Sequence, residues 1–227
     1  MPPKVSIIIP AYNEEKTIAT LLEKVIAQSR RWNCQIIVVN DGSTDGTLDA
    51  IKGFLNQIVL VNLPKNQGKG KAIREGLKKA MGDIVILQDA DLELDPADYP
   101  RLLAPILEGK TEVVYGARMT KQEHKNTLFF WGGQGITIFA NMLYGIRLTD
   151  ETNGYKIMRR ELFESLKLES DGFEICSEIT AKIAKRKIPI YEVSVSYYPR
   201  SSTEGKKLKI RHGLKSAWAL IKYKFIS

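Results

Sequence analysis

Short runs of consecutive apolar residues alternate, through the first half of the chain, with segments whose apolar positions recur every three or four residues. Val5–Ile9, Gln35–Val39, Ile58–Val61, Ile84–Leu87 and Val113–Tyr115 are rich in β-branched residues and lack the in/out alternation of a half-exposed strand. That is the pattern of strands covered on both faces. Thr17–Arg31 carries Ile18, Leu21, Leu22, Val25 and Ile26 at helical spacing, Lys71–Met81 reads as a helix, and Pro96 opens another that runs to about Leu107. Strands alternating with helices predict βαβ units and an α/β fold with a mostly parallel sheet. The second half is less regular. It offers helices near Leu128–Tyr144 and Glu174–Lys185, a turn at Asp150–Gly154 and a strand near Ile190–Val195. Ligands of open parallel sheets bind beyond the carboxyl ends of the strands. Pro10–Glu14, Asp41, Lys65–Lys71, Asp89–Glu93 and Arg118 all fall there.

Composition adds boundaries. The 227 residues suit one large domain, and 44% hydrophobic with 26% charged residues excludes a disordered or collagen-like chain. Cys34 and Cys176 stand far apart and form no metal-ligand cluster, which predicts two free thiols in a reducing compartment. The N-terminal apolar run is too short for a signal peptide, so the expected location is the cytoplasm. Thr127–Ile146 is free of charge and long enough to span a bilayer, but its glycines, Gln134 and Asn141 dilute it. A buried or membrane-facing amphipathic helix is expected instead. The net charge of +8 is local. Arg200–Ser227 holds eight basic residues against Glu204 alone, which implies an anionic partner for that tail.

Asp89-Ala90-Asp91 closes an apolar strand, with Glu93 two positions on. Alternate residues of an extended chain share a side, so these carboxylates can converge on one hard cation. Surface acids would also fit the pattern, but unpaired acids at the end of a buried strand are costly. Pro10-Ala11-Tyr12-Asn13-Glu14-Glu15 admits two readings: a turn with a helix N-cap, or an aromatic and polar cradle for a nucleobase and ribose. Asp41-Gly42-Ser43-Thr44-Asp45 admits the same two.

In their order and spacing these segments resemble glycosyltransferase family 2, and Asn66-Gln67-Gly68-Lys69-Gly70 belongs to the same set. Gly116-Ala117-Arg118, Asp150–Lys156 and Tyr198-Pro199-Arg200 with Glu204–Lys207 look like its dolichol- and polyprenyl-phosphate branch. The resemblance implies a single GT-A (Rossmann-like) domain over residues 1–207, its mostly parallel central sheet flanked by helices. It implies that Pro10, Tyr12, Glu14 and Asp41 hold the base and ribose of a nucleotide-sugar donor, with Lys69 touching the nucleotide. Asp89, Asp91 and Glu93 would hold Mg²⁺ or Mn²⁺ on the diphosphate; relatives often carry Gln at the position of Glu93. Arg118 would face an acceptor phosphate, and Arg200 and Lys206 would lie on a loop over the diphosphate. The branch usually offers a second arginine early in the helix after Arg118; here that stretch is Leu128–Gly133.

The implied activity is metal-dependent, inverting transfer from a GDP- or UDP-sugar to a polyprenyl or dolichyl phosphate. A phosphate acceptor needs no base, whereas a saccharide or protein hydroxyl would need one, with Asp150 or Glu151 as candidates. A soluble transferase of that second kind is the alternative. A nucleotidyltransferase is disfavoured, since Pro10-Ala11-Tyr12-Asn13 replaces the expected glycine- and arginine-rich signature. A non-catalytic nucleotide-binding module would leave the acidic motif without a role, and no nucleic-acid partner is expected. Residues 208–227 are read as a basic amphipathic helix with Leu214, Trp218, Ile221 and Phe225 in one stripe. That stripe either meets an anionic membrane at its cytoplasmic face or packs on the domain while its lysines reach solvent.

Overall fold

Strands without in/out alternation need cover on both faces, and the chain supplies it. The computed structural model describes residues 4–118, 128–200 and 210–226. In chain order the elements are β1 (Val5–Ala11), α1 (Ile18–Ser29), β2 (Cys34–Asn40), α2 (Thr47–Lys52), β3 (Val59–Asn62), α3 (Lys69–Leu77), β4 (Ile84–Leu87), α4 (Tyr99–Leu107), β5 (Val113–Arg118), α5 (Leu128–Tyr144), β6 (Lys156–Arg159), α6 (Arg160–Ser165), α7 (Ile175–Lys185), β7 (Ile190–Val195) and α8 (Ile210–Phe225). A single 3-10 turn, Pro96–Asp98, leads into α4 and is capped by the Asp95 carboxylate.

The sheet order is β3-β2-β1-β4-β6-β5-β7. β6 pairs antiparallel with both neighbours, and every other pairing is parallel. Alternation along β1 divides the core. Ile7 and Ile9 join Ile18, Leu21, Leu22 and Val25 of α1 and Leu102, Leu103 and Ile106 of α4 on one face. Ile8 joins Ala72 and Ile73 of α3 and Ile175, Ile179 and Ile183 of α7 on the other. The sheet is thus a buried layer between two helical layers.

Three features depart from the sequence pattern. α3 begins at Lys69, inside the expected glycine loop, because the amides of Gly70 and Lys71 both donate to the Asp171 carbonyl. A Cβ on Gly70 would lie 2.2 Å from the Ser170 carbonyl oxygen, so only glycine lets the two loops meet. β6 and α6 were hidden by their charges: Lys156 and Arg159 bound a strand of only four residues. Lys156 is nonetheless fully buried, its ammonium donating to the Glu151 carbonyl (2.9 Å) and lying 3.7 Å from the Tyr115 ring centroid.

α8 packs on α5 and α7 through Ala219, Leu220 and Tyr223, with the Tyr144 hydroxyl donating to the Leu220 carbonyl. The stripe read from the sequence therefore is not the packing face. Leu214, Trp218 and Phe225 are 70%, 59% and 71% exposed. On α5, Trp131, Ile138 and Met142 are also more than half exposed. Among the described residues no helix is long and apolar enough to cross a membrane.

Candidate active site

The strand order reverses beside β1, and the segments leaving β1, β2, β4 and β7, with Arg118 at the end of β5, lie at the carboxyl edge there. The first two loops are laced together. The Asn13 amide donates to Ser43 Oγ (3.0 Å), the Thr44 amide to Asn13 Oδ1 (2.8 Å), and the Glu14 amide to Thr47 Oγ1 (2.7 Å). Asn13 takes φ 50°, a left-handed geometry that asparagine tolerates better than most residues. Asn13, Ser43 and Asp45 therefore shape the turn, while Pro10 and Tyr12 remain half-buried at its rim. Asp41 is buried and accepts the amides of Gln67 and Gly68, one on each oxygen at 2.8 Å. Burial raises its carboxyl above the usual range, against the pull of those amides. Asp41 thus staples the glycine loop to β2, and a base reading it would share its remaining lone pairs.

The Asp89–Glu93 loop is held from beneath by Gln88, a residue whose importance nothing in the sequence flags. Its Oε1 accepts the hydroxyls of Tyr99 and Tyr155, both at 2.8 Å, and its Nε2 donates to the Asp89 carbonyl (3.0 Å). Asp89 rests against Gly154, where a Cβ would come within 2.2 Å of Oδ2. Leu92 stands at φ 62°, strained for a branched side chain, and turns the chain so that the Glu93 amide donates to Asp91 Oδ1 (3.2 Å).

Two cations occupy these acids. Lys69, the first residue of α3, lies 2.5 Å from Asp89 Oδ1; burial opposes its charge, but Asp89 holds its pKa above the ordinary value. Arg200 reaches Glu14 Oε2 and Asp91 Oδ2, each at 2.9 Å, and its amide donates to Glu93 Oε1 (3.0 Å). Even so, Asp91 is pushed up to about 7 by burial and by the charges of Asp89 and Glu93, with Arg200 pulling the other way. The cluster carries more negative charge than its two cations offset, and all its ligating atoms are oxygens. That donor set fits a hard divalent cation. Among the described residues no three acidic, histidine or cysteine side chains are arranged to hold an ion as they stand, since Lys69 and Arg200 engage the oxygens. Lys206 lies outside the described residues.

On the other side of the cleft Arg118 ends β5 and is clamped by Asp150. Its Nε and Nη2 donate to the two carboxylate oxygens at 2.6 Å each, and Nη2 also reaches Thr152 Oγ1 (2.8 Å). Burial alone would raise Asp150, but Arg118 holds it below the usual carboxylate range. Glu151 is fully buried beside Lys156, Ser177 and Thr180. Tyr197, which the sequence did not single out, lies between the two sides: its hydroxyl donates to Glu93 Oε2 (3.2 Å) and its ring faces Arg118. Its place two residues beyond Val195, continuing the alternation of Val193 and Val195 past the end of β7, was the available signal.

The comparisons accord with this geometry. Residues 6–167 match the model of glycosyl transferase family 2. A dolichyl-phosphate β-glucosyltransferase of Trichomonas vaginalis is 31% identical over 96% of the chain and 72% of its own length. A UDP-N-acetylglucosamine–dolichyl-phosphate N-acetylglucosaminyltransferase of Methanococcus voltae is 29% identical over 96% of the chain and 95% of its own. The dolichol-phosphate mannosyltransferase of Pyrococcus furiosus is 29% identical, and the match spans 59% of that longer protein. Glucosyl-3-phosphoglycerate synthase of Mycobacterium tuberculosis, solved with UDP, shares the fold at a TM-score of 0.79, with 21% identity over 99% of the chain and 81% of its own. The fold and the family match together define an enzyme, a glycosyltransferase of the GT-A class. The chain belongs to glycosyltransferase family 2.

Proposed function

We propose that the chain transfers a sugar, with inversion, from a nucleoside-diphosphate sugar to a polyprenyl phosphate at a membrane surface. The observation that carries this reading is the Arg118–Asp150 clamp. A hydroxyl acceptor requires a base. Asp150 has both oxygens committed to Arg118 and a depressed pKa, and Glu151 faces the interior. Neither can take a proton from an acceptor in the cleft. A phosphate monoester, with a second pKa of about 6, arrives already ionised and needs only orientation and charge. Arg118 supplies both. The names of the relatives, three of which act on dolichyl or dolichol phosphate, support the same acceptor.

On the donor side Pro10, Tyr12, Glu14 and Asp41 line the place for base and ribose. Asp89, Asp91 and Glu93 would hold Mg²⁺ or Mn²⁺, which supplies positive charge to the departing diphosphate. Glucosyl-3-phosphoglycerate synthase has been solved with Mn²⁺ and with Mg²⁺, each beside UDP. Lys69 and Arg200, released from Asp89 and Asp91 as the donor enters, are placed to contact its phosphates. The acceptor oxygen attacks the anomeric carbon from the face opposite the diphosphate, so the configuration inverts. The exposed apolar residues of α5 and α8, with Arg211, Lys215, Lys222 and Lys224 on α8, support docking at an anionic membrane on its cytoplasmic side.

Incubation with labelled GDP- and UDP-sugars, each with and without a polyprenyl phosphate, tests the proposal. Label passing into the organic phase only with polyprenyl phosphate, and lost in excess EDTA, is expected. Transfer to a saccharide hydroxyl at full rate without the lipid would overturn it.

A further inference from the structure

We propose that Tyr197 is the positioning residue that fixes the acceptor-side Arg118 relative to the donor-side acids, an inference that rests on the polyprenyl-phosphate reading. Beyond β7 the chain lies antiparallel to the Asp89–Glu93 loop: Tyr197 bridges Leu94, and the Tyr198 amide donates to the Glu93 carbonyl at 2.9 Å. This zipper sets the Tyr197 ring in the cleft between two functions. The guanidinium carbon of Arg118 stands 5.1 Å from the ring centroid, and the phenol donates to Glu93 Oε2 at 3.2 Å. Asp150 and Thr152 take edges of the Arg118 guanidinium, and Tyr197 takes a face.

A guanidinium gripped on edge and face presents its charge in one orientation, and a planar cation so fixed loses little freedom when a phosphate arrives. The grip on the face is referred, through one hydroxyl, to the acid that belongs to the donor side. Backbone pairing fixes the segments that carry Arg118 and Glu93, and this one side chain ties their charged ends together. In-line transfer depends on that spacing.

The hydroxyl bears on Arg118 as well as on Glu93, so the ring's share of the grip is what two substitutions separate. Tyr197→Phe keeps the ring and removes the hydroxyl; Tyr197→Leu removes both. The full-length chain and both variants are titrated with farnesyl phosphate by calorimetry and, separately, with Mn²⁺ alone by electron paramagnetic resonance. Tyr197→Phe is expected to bind farnesyl phosphate within about twofold of the unaltered chain, and Tyr197→Leu about fivefold more weakly, the size of a cation–π contact at a half-buried site. Mn²⁺ affinity is expected to fall by about threefold, and equally, in both variants, since both lose the hydrogen bond that orients Glu93. A purely structural role would instead shift both ligands together, in step with the melting temperature. Unchanged farnesyl phosphate affinity in Tyr197→Leu, an equal loss in Tyr197→Phe, or unchanged Mn²⁺ affinity in both would overturn the proposal. If the unaltered chain binds Mn²⁺ but no farnesyl phosphate, the acceptor reading itself fails and takes this inference with it.

Discussion

Asp91 is the most strained ionisable group of the donor side. Its carboxyl is raised from 3.8 to about 7, so folding takes up a proton there between those values. The stability this group contributes is full below pH 4 and is lost as pH rises through 7. Asp91→Asn is therefore expected to stabilise the metal-free chain by about 1–3 kcal/mol at pH 8 and by almost nothing near pH 4, while abolishing turnover. Thermal melts at the two pH values check the sign; an equal change at both would place the strain elsewhere. Arg200 makes the complementary case. It offsets Asp91 and Glu14 and stands where a divalent cation would need their oxygens. Arg200→Gln should bind Mn²⁺ alone about tenfold more tightly, since charge-assisted contacts of about 1.5–3 kcal/mol no longer compete. The same variant should bind UDP or GDP more weakly, because it lacks a phosphate contact. Titration of Mn²⁺ with and without nucleotide separates the two effects, and weaker Mn²⁺ binding by the variant would show that Arg200 does not compete.

Among the elements β6 was the least legible. A strand of four residues with a lysine at its first position has neither the run nor the alternation that marks its neighbours. What makes it a strand is tertiary. It fills the gap between β4 and β5, running against both, and its lysine finds the Glu151 carbonyl and the Tyr115 ring inside the protein. Glu151, buried beside it, depends on that charge to offset its own desolvation. Lys156→Met should cost about 3–5 kcal/mol, the penalty for stranding a buried charge. Adding Glu151→Gln should recover a large part of the loss. Urea titrations of the single and double variants give the cycle, and additive losses would mean that the two side chains do not feel one another. By contrast β1, β2 and β4 were plain in the sequence, because strands covered on both faces admit little else than Val, Ile and Leu.

At the scale of the whole molecule the apolar residues of α5 and α8 raise a different question, since neither helix alone accounts for their placement. The residue spacing of α8 predicts one apolar stripe and leaves open which side it faces. Packing of Ala219, Leu220 and Tyr223 against α5 and α7 turns Leu214, Trp218 and Phe225 outward, and Trp131 and Met142 of α5 are exposed as well. Two helices that pack on one another thus each leave apolar side chains in solvent. Trp218→Ser with Phe225→Ser should leave the melting temperature unchanged, because both side chains are exposed, and should weaken co-sedimentation with anionic liposomes by about tenfold. Added salt should weaken the unaltered chain as well, through its lysines. Equal sedimentation of both proteins at low salt would show that this face does not meet the bilayer.

The amino-acid sequence by itself determined the layered α/β architecture and put the candidate site residues at strand ends. Buried strands, helical periodicity and strand-end acids are local patterns, each dictated by what its own residues tolerate. It also brought out Asp89, Asp91, Glu93, Arg118 and Arg200 as charged residues at or beyond strand ends. Only the tertiary structure decided how those charges pair. Asp150 has Arg118 on both its oxygens, a partner 32 residues away in the chain, and Arg200 lies more than a hundred residues from the acid it neutralises. Gln88 and Tyr197 gained their roles in the same way, from partners brought close by the sheet. The physical reason is the range of the forces involved. Hydrophobic periodicity is written along the chain, whereas the state of a buried charge depends on whatever the fold places within a few ångströms of it.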